Sequence, residues 1–213
     1  QSDCPFACRR HGLLIGPSRY ECIPSTQSHM SEFPVRRVLA VTGTPGTGKT
    51  TLAAALCERV RESEHHSMTT LAEWCGAITE HSDGTGTRDV DVDMMSDSWS
   101  DLSGRFSSGL IIIDGHLSHL MPVDGVILLR CRPDILRQRL EARGWLNAKV
   151  EENVEAEFIG SIATDIVVGP APCFEAASHD ADRVDIADDV VKWVEAGLPS
   201  AGPSLDWFEG GFR

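Results

Sequence analysis

The chain of 213 residues carries 32 acidic and 19 basic side chains, for a formal charge of −13, and 41% of its residues are hydrophobic. This length can bury the core of one ordinary globular domain, and the composition excludes a disordered polymer. No apolar run in the sequence approaches the roughly 18 residues that a membrane span needs. The acidic excess argues against general binding of duplex nucleic acid, which requires a surplus of basic side chains.

Lysine is rare among the basic residues, occurring only as Lys49, Lys149 and Lys192. Few lysines and many carboxylates are typical of proteins from a high-salt cytosol, although an acidic protein from a GC-rich genome would look the same. Seven cysteines are scattered along the chain without the density of a disulfide scaffold. We therefore expect a cytoplasmic protein without a membrane-bound segment.

The chain divides into three parts. Residues 1–34 lack periodicity and an apolar signal core, which predicts a disordered leader or a non-native extension. Residues 35–196 form the predicted domain, in which residues 80–105 are a polar surface insert with short helical pieces. Residues 197–213, rich in Gly and Pro, are predicted to be a flexible tail.

Within the domain, apolar runs of strand length alternate with helical patterns. We expect strands over residues 38–42, 110–113, 126–131 and 173–177, and helices over residues 50–61, 133–143, 149–168 and 184–196. His65 and His66 are interpreted as loop residues. The alternation predicts an α/β three-layer fold with a parallel sheet of about five strands and helices on both faces.

Residues 43–50 read Gly-Thr-Pro-Gly-Thr-Gly-Lys-Thr and match the phosphate-binding loop pattern G-x-x-x-x-G-K-[ST] in full. Glycines let backbone N–H groups converge on phosphate oxygens, and the following helix adds positive charge at its N-terminus. Lys49 can reach the β- and γ-phosphates, and the Thr50 hydroxyl can bind Mg²⁺. A chance glycine turn is the alternative, but the strand before the loop and the helix after it favour a Rossmann-like P-loop NTPase.

The predicted strand Leu110–Ile113 ends at Asp114, so four apolar residues precede a carboxylate. This pattern is typical of the Walker B strand, whose carboxylate holds Mg²⁺ beside the P-loop. An Asp that merely caps a strand end is the alternative. The P-loop upstream favours the functional interpretation, so Thr50 and Asp114 are the predicted metal-binding residues.

Further segments extend the pattern beyond the P-loop, in the order Asp114-Gly-His116, Val126–Arg130, Arg139–Trp145 and Lys149–Glu157. With these motifs, the sequence over about residues 36–196 resembles the adenylate kinase isoenzyme 6 family of archaeal and nuclear P-loop kinases. The resemblance implies a kinase core with a short lid. It also implies the reaction ATP + AMP = 2 ADP with Mg²⁺, AMP as the acceptor, and an accompanying ATPase activity.

The resemblance also implies roles for individual residues. The expected ATP phosphate contacts are Gly46, Gly48, Lys49, Thr50 and Thr51. Asp114 and His116 match an Asp-x-His motif, with Asp114 on Mg²⁺ and His116 near the reacting phosphates. Arg143 matches the lid arginine within a lid over residues 142–152, and Arg139 is a second candidate phosphate ligand. A solvated basic helix face is the alternative for both arginines.

The acceptor region departs from the family pattern. Glu73 stands about where relatives carry an arginine, and Arg88 is the candidate substitute within the acceptor-binding insert. Eukaryotic relatives assist maturation of the small ribosomal subunit by contacting a ribosomal protein. An ATP-hydrolysing assembly factor is therefore the alternative function, and a small-molecule kinase on the same fold is a third. We expect a monomer, and the archaeal resemblance favours the salt-adapted interpretation of the acidic surface.

Overall fold

The computed structural model describes residues 31–33, 35–80, 88–179 and 183–207. Most of the predicted leader, residues 81–87 near the start of the predicted insert and the end of the predicted tail lie outside the described residues. No helix within the described ranges is both long enough and apolar enough to cross a membrane.

The strands, in chain order, are β1 (Arg37–Thr42), β2 (Ser63–Ser67), β3 (Ile78–Glu80), β4 (Arg88–Val90), β5 (Leu110–Asp114), β6 (Gly125–Arg130) and β7 (Cys173–Ala177). Five of them form a parallel sheet in the order β2-β5-β1-β6-β7, while β3 and β4 pair as a small antiparallel hairpin. The predicted five-stranded parallel sheet is confirmed. Its central strand β1 lies between β5 and β6. The strand order reverses at this point, which is where open α/β sheets bind ligands.

The helices are α1 (Lys49–Cys57), α2 (Met68–Cys75), α3 (Val92–Asp97), α4 (Trp99–Ser103), α5 (Pro133–Ala142), α6 (Asn147–Ile159), α7 (Ser161–Val168) and α8 (Arg183–Glu195). One core packs α1 and α8 against the sheet. The opposite face is covered by α2 to α4 and, further along, by α7. Helices on both faces confirm the three-layer architecture.

The interpretation of His65 and His66 as loop residues is wrong, because they belong to β2, which pairs with β5 over its whole length. The strand contains no apolar residue, so its sequence lacks the usual signal. Its buried side chains satisfy one another instead: the Glu64 carboxylate is 3.0 Å from His66 Nε2 and accepts hydrogen bonds from the backbone and hydroxyls of Ser107 and Ser108.

The single helix predicted over residues 149–168 is two helices. Gly160 separates α6 from α7 with a φ of 68°, in the left-handed region where a side chain is costly. The apolar spacing continues across the break, which explains why periodicity alone could not locate it.

Residues outside the predicted domain limits also make contacts with the domain. Ser31, placed in the predicted leader, exchanges backbone hydrogen bonds with Arg59 and Arg61 at 3.0 and 2.9 Å. Residues 198–207, placed in the predicted flexible tail, lie against the core as far as Trp207, whose side chain is buried. Composition could not predict these contacts, because the residues that form the hydrogen bonds are far apart in the chain.

Candidate nucleotide site

The P-loop turns sharply between the end of β1 and the start of α1. Gly46 and Gly48 have φ values of 96° and 98°, which L side chains rarely adopt. A Cβ at Gly46 would also lie 2.9 Å from Leu136 Cδ1, because α5 packs directly against the loop. The loop therefore requires glycine at both positions, and this backbone shape lets successive N–H groups converge on a phosphate.

Lys49 bends back over the loop, donating to the carbonyl oxygens of Gly43 at 2.8 Å and Thr44 at 3.1 Å. Burial of the amine and, to a smaller extent, the charge of Arg143 lower the pKa of Lys49 to about 8, although the Asp114 carboxylate partly offsets them. The amine is thus mostly protonated at neutral pH. A bound phosphate would give this cation an anionic partner in place of two carbonyls.

Asp114 lies at the carboxyl end of β5, opposite Val41 of β1. Its Oδ2 accepts from Thr50 Oγ1 at 2.6 Å, and its Oδ1 lies 2.9 Å from His65 Nε2. Burial alone would raise the pKa of Asp114, but the hydrogen bonds from His65 and Thr50 outweigh it and lower the pKa. The structure therefore joins the two predicted metal-binding residues and holds the carboxylate in its ionised form.

Of the two histidines after β5, His116 is exposed at the mouth of the site. Surrounding protein and the nearby Lys49 cation lower the pKa of His116. His119 turns away, with its Nδ1 3.1 Å from Thr42 Oγ1 and its ring against α7. The role of His116 near the reacting phosphates stays a prediction.

The two predicted arginines occupy different surroundings. Arg143 is exposed just after α5, near enough for its charge to act on Lys49. Arg139 instead donates to the carbonyl oxygen of Ser178 at 3.0 Å and to its hydroxyl at 3.3 Å, at the turn after β7. The structure thus brings Arg143 to the P-loop region, whereas the role of Arg139 as a phosphate ligand stays a prediction.

Two residues of the site were not predicted from the sequence. His65, which contacts Asp114, lies in the unrecognised strand β2. Glu157, in α6, accepts a hydrogen bond from the hydroxyl of the P-loop residue Thr44 at 2.6 Å. The only sequence signal for Glu157 was its position in the family-like segment from Lys149, because 113 residues separate it from its partner.

The donor set fits Mg²⁺ bound together with a nucleotide. Thr50 and Asp114 offer a hydroxyl and a carboxylate, the hard oxygen ligands that Mg²⁺ prefers. Such sites commonly use one or two protein groups and leave the remaining positions to phosphates and water. In keeping with this, no group of three or more His, Cys, Asp or Glu side chains able to hold a metal occurs in the part of the chain that the structure describes.

Comparison with known proteins agrees with this geometry. Residues 39–160 match a family model described as "AAA domain". A "putative adenylate kinase" of Pyrococcus abyssi is 31% identical over 81% of this chain and 92% of its own length. One of Archaeoglobus fulgidus is 36% identical over 75% and 80%. Shikimate kinase from Acinetobacter baumannii shares the fold, with a TM-score of 0.53 at 13% identity, covering 76% of this chain and 94% of its own.

The fold and the site define a P-loop enzyme of the nucleotide kinase class. Within that class, the chain belongs to the family of archaeal adenylate kinases represented by the Pyrococcus and Archaeoglobus proteins. The predicted family and fold are thereby confirmed.

Proposed function

We propose that the protein is an adenylate kinase that transfers the γ-phosphate of Mg-ATP to AMP, giving two ADP. The observation that carries the proposal is the convergence of Lys49, Thr50 and Asp114 at the mouth of the P-loop. Relatives at about one-third identity bear the name of this activity. Transfer between phosphates needs positioned positive charge more than covalent chemistry, and this site offers it.

The donor nucleotide would lie along the P-loop. The backbone N–H groups of residues 46–50 and the N-terminus of α1 would bind its phosphates, with Lys49 moving from the loop carbonyls to the β- and γ-phosphates. Thr50 and Asp114 would hold Mg²⁺, which when bound neutralises charge on the phosphate oxygens. His65 keeps Asp114 oriented toward Thr50 while this occurs.

The lid prediction concerns the turn between α5 and α6. Arg143 lies at the start of that turn, exposed and within electrostatic reach of Lys49. In the proposal its guanidinium closes over the transferring phosphoryl group and stabilises the charge that spreads over its oxygens. Closure also excludes water, so that the acceptor phosphate rather than water receives the phosphoryl group.

The acceptor would bind on the α2 side of the sheet. Gly115 is so close to α2 that a Cβ there would lie 2.5 Å from Met68 Cγ, which brings the start of α2 beside Asp114. Glu73, which stands about where the resemblance would place an arginine, is exposed on α2. AMP as acceptor is therefore proposed from family membership and from the location of α2 to α4.

A panel of nucleotides tests the proposal. Purified protein is given Mg-ATP with AMP, GMP, CMP, UMP or no acceptor, and both ADP and inorganic phosphate are measured. The proposal predicts ADP formation that depends on AMP, two ADP for each ATP consumed, and little free phosphate. Phosphate release unaffected by any monophosphate would contradict it and favour the ATP-hydrolysing assembly factor. That result would call for binding assays with small-subunit ribosomal proteins.

A further inference from the structure

A buried carboxylate lies beneath the P-loop. Glu157 is 2% exposed, and both of its carboxylate oxygens are occupied. Oε2 accepts from the Thr44 hydroxyl, while Oε1 accepts from Arg130 Nε at 2.7 Å and from the backbone N–H of Cys131 at 3.1 Å. A carboxylate so deeply buried is tolerated only when such donors compensate for lost water.

Residues 204–207, named here the tail segment, complete this centre. The indole Nε1 of Trp207 donates to Glu157 Oε1 at 3.1 Å, and Arg130 lies over the Trp207 ring, 5.4 Å from its centroid. Arg130 Nη1 also donates to the carbonyl oxygen of Leu205 at 3.2 Å. The tail segment thus supplies one donor to the buried carboxylate and covers the cation paired with it.

A second carboxylate fastens the tail segment. Glu175 of β7 accepts the backbone N–H groups of Ser204 and Leu205 at 2.6 and 2.8 Å, and lies 3.4 Å from Arg130 Nη1. The tail segment is therefore attached at both carboxylates that flank Arg130. Its contacts concentrate on this one charged cluster, beyond the apolar packing that Trp207 provides.

The cluster connects directly to the phosphate-binding loop through Thr44. Besides bonding Glu157 through its hydroxyl, Thr44 uses its carbonyl oxygen to accept from Lys49 Nζ at 3.1 Å and from Thr47 Oγ1 at 2.9 Å. The position of Thr44 therefore sets the positions of Lys49 and of the middle of the loop. A change at Glu157 can reach the loop through two consecutive hydrogen bonds.

We propose that Trp207 is a positioning residue for nucleotide binding, which fixes Glu157 and through Thr44 holds the P-loop in its phosphate-binding shape. Without the indole N–H, Glu157 loses one of the donors that fix its tilt. The position of Thr44 is then less well fixed. Nucleotide binding must order the loop, and the free energy that this requires weakens binding. This inference rests on the proposed nucleotide-binding function and adds to it a determinant outside the P-loop itself.

The test replaces Trp207 with Phe, which keeps an aromatic ring over Arg130 and removes the N–H donor. Because a hydrogen bond to a charged acceptor is among the stronger ones, we expect Mg-ATP binding measured by calorimetry to weaken about three- to tenfold. The matched control is Trp193→Phe. Trp193 is comparably buried and also donates its indole N–H, to the carbonyl oxygen of Pro199, but its partners Pro199 and Phe174 lie outside the Glu157 centre.

Two further measurements separate positioning from a loss of stability. Both Phe variants should lower the melting temperature, whereas only Trp207→Phe should raise the Kd for Mg-ATP. In a Thr44→Val background, where Glu157 no longer holds the loop, Trp207→Phe should change the Kd no further. In the wild-type protein, the indole N–H resonance of Trp207 should shift when Mg-ATP is added, a readout that needs no variant to fold.

The outcomes distinguish this inference from the proposed function. Wild-type protein that fails to bind Mg-ATP would defeat the proposed function itself. Wild-type protein that binds Mg-ATP, with a Kd unchanged in Trp207→Phe or equally raised in Trp193→Phe, would overturn only the positioning role. Additive effects of Trp207→Phe and Thr44→Val, or a Trp207 resonance indifferent to Mg-ATP, would overturn it as well.

Discussion

The hydroxyl of Thr50 donates to the carboxylate of Asp114 over 2.6 Å, which joins the first turn of α1 to the end of β5. The two residues are 64 positions apart in the chain. They meet because β1 and β5 are neighbouring parallel strands whose carboxyl ends lie side by side. This pairing, rather than either residue alone, provides the oxygen donors that the proposed reaction requires.

Replacing Asp114 with Asn should disable transfer while sparing the fold. The amide keeps the shape of the side chain but lacks the charge needed to hold Mg²⁺, so we expect kcat to fall about 100-fold or more, a loss typical of a missing charge-stabilising group. The matched control is Asp124→Asn, since Asp124 accepts from the backbone N–H of Val38 at the opposite end of the sheet. A kinetic assay in which Asp114→Asn keeps near-normal kcat would contradict the assignment.

His65 should affect kcat through its contact with Asp114. His65→Leu removes the group that lies against Asp114 Oδ1, and we expect kcat to fall about tenfold to 100-fold, as is common when a partner of a metal-binding side chain is lost. His65→Asn retains a polar group that can donate and should recover part of the loss. Steady-state kinetics at saturating ATP and AMP measure the effect. Equal kcat in wild type and His65→Leu would show that β2 contributes only to the sheet.

Arg143 should act on the transition state. Arg143→Ala is expected to lower kcat by about two to three orders of magnitude, because a cation over the transferring group supplies much of its stabilisation. The Kd for ATP should change little. Arg61→Ala is the control: its exposed guanidinium pairs with the exposed Glu32, outside the lid, and contributes little there. Equal losses of binding and transfer in Arg143→Ala would refute the lid role.

Glu64 should make the fold sensitive to acid. Burial would raise the pKa of Glu64, but the hydrogen bonds from Ser107, Ser108 and His66 lower it to about 2, from an ordinary value of 4.5. Because the folded state holds the ionised form, this carboxylate contributes stability fully above pH 4.5 and loses it as the pH falls toward 2. A shift of this size corresponds to about 3 kcal/mol in the free energy of unfolding.

The variant Glu64→Gln isolates this contribution. It should be less stable than wild type at neutral pH, and the difference in the free energy of unfolding should shrink as the pH falls from 4.5 to 2. Denaturant unfolding at a series of pH values measures it. A difference that stays constant across this range would mean that the stability of the variant reflects packing rather than charge.

The acidic, lysine-poor surface should make the protein depend on salt. With a formal charge of −13, self-repulsion is strongest at low ionic strength, where the Debye length is long. We expect the melting temperature and the activity to rise together as KCl is increased. Unchanged melting and full activity in dilute buffer would contradict a salt-adapted surface.

Local patterns in the sequence predicted the parts of the site that depend on neighbouring residues. The P-loop and Asp114 were predictable because glycine spacing and a buried strand ending in a carboxylate are short-range signals. Strand β2 was missed because its buried residues, Glu64 and His66, are polar and lie in contact along one face of the strand. A hydrophobicity pattern carries no information about such pairing.

Long-range contacts account for the remaining differences. Glu157 reaches the P-loop because α6 brings it there, and the buried Trp207 contacts Glu157 and Arg130. The Gly- and Pro-rich composition before Trp207 indicates an irregular backbone. It does not indicate whether that backbone lies on the core, which depends on residues distant in the chain.

The central claim is tested most directly by the reverse reaction, with ADP as the only nucleotide. The protein is incubated with Mg²⁺ and ADP, and the products are followed by ³¹P NMR. An adenylate kinase should produce ATP and AMP in equal amounts, with no accumulation of inorganic phosphate. If no ATP appears from ADP while added ATP is converted to ADP and free phosphate, the protein is an ATPase and the proposed function is wrong.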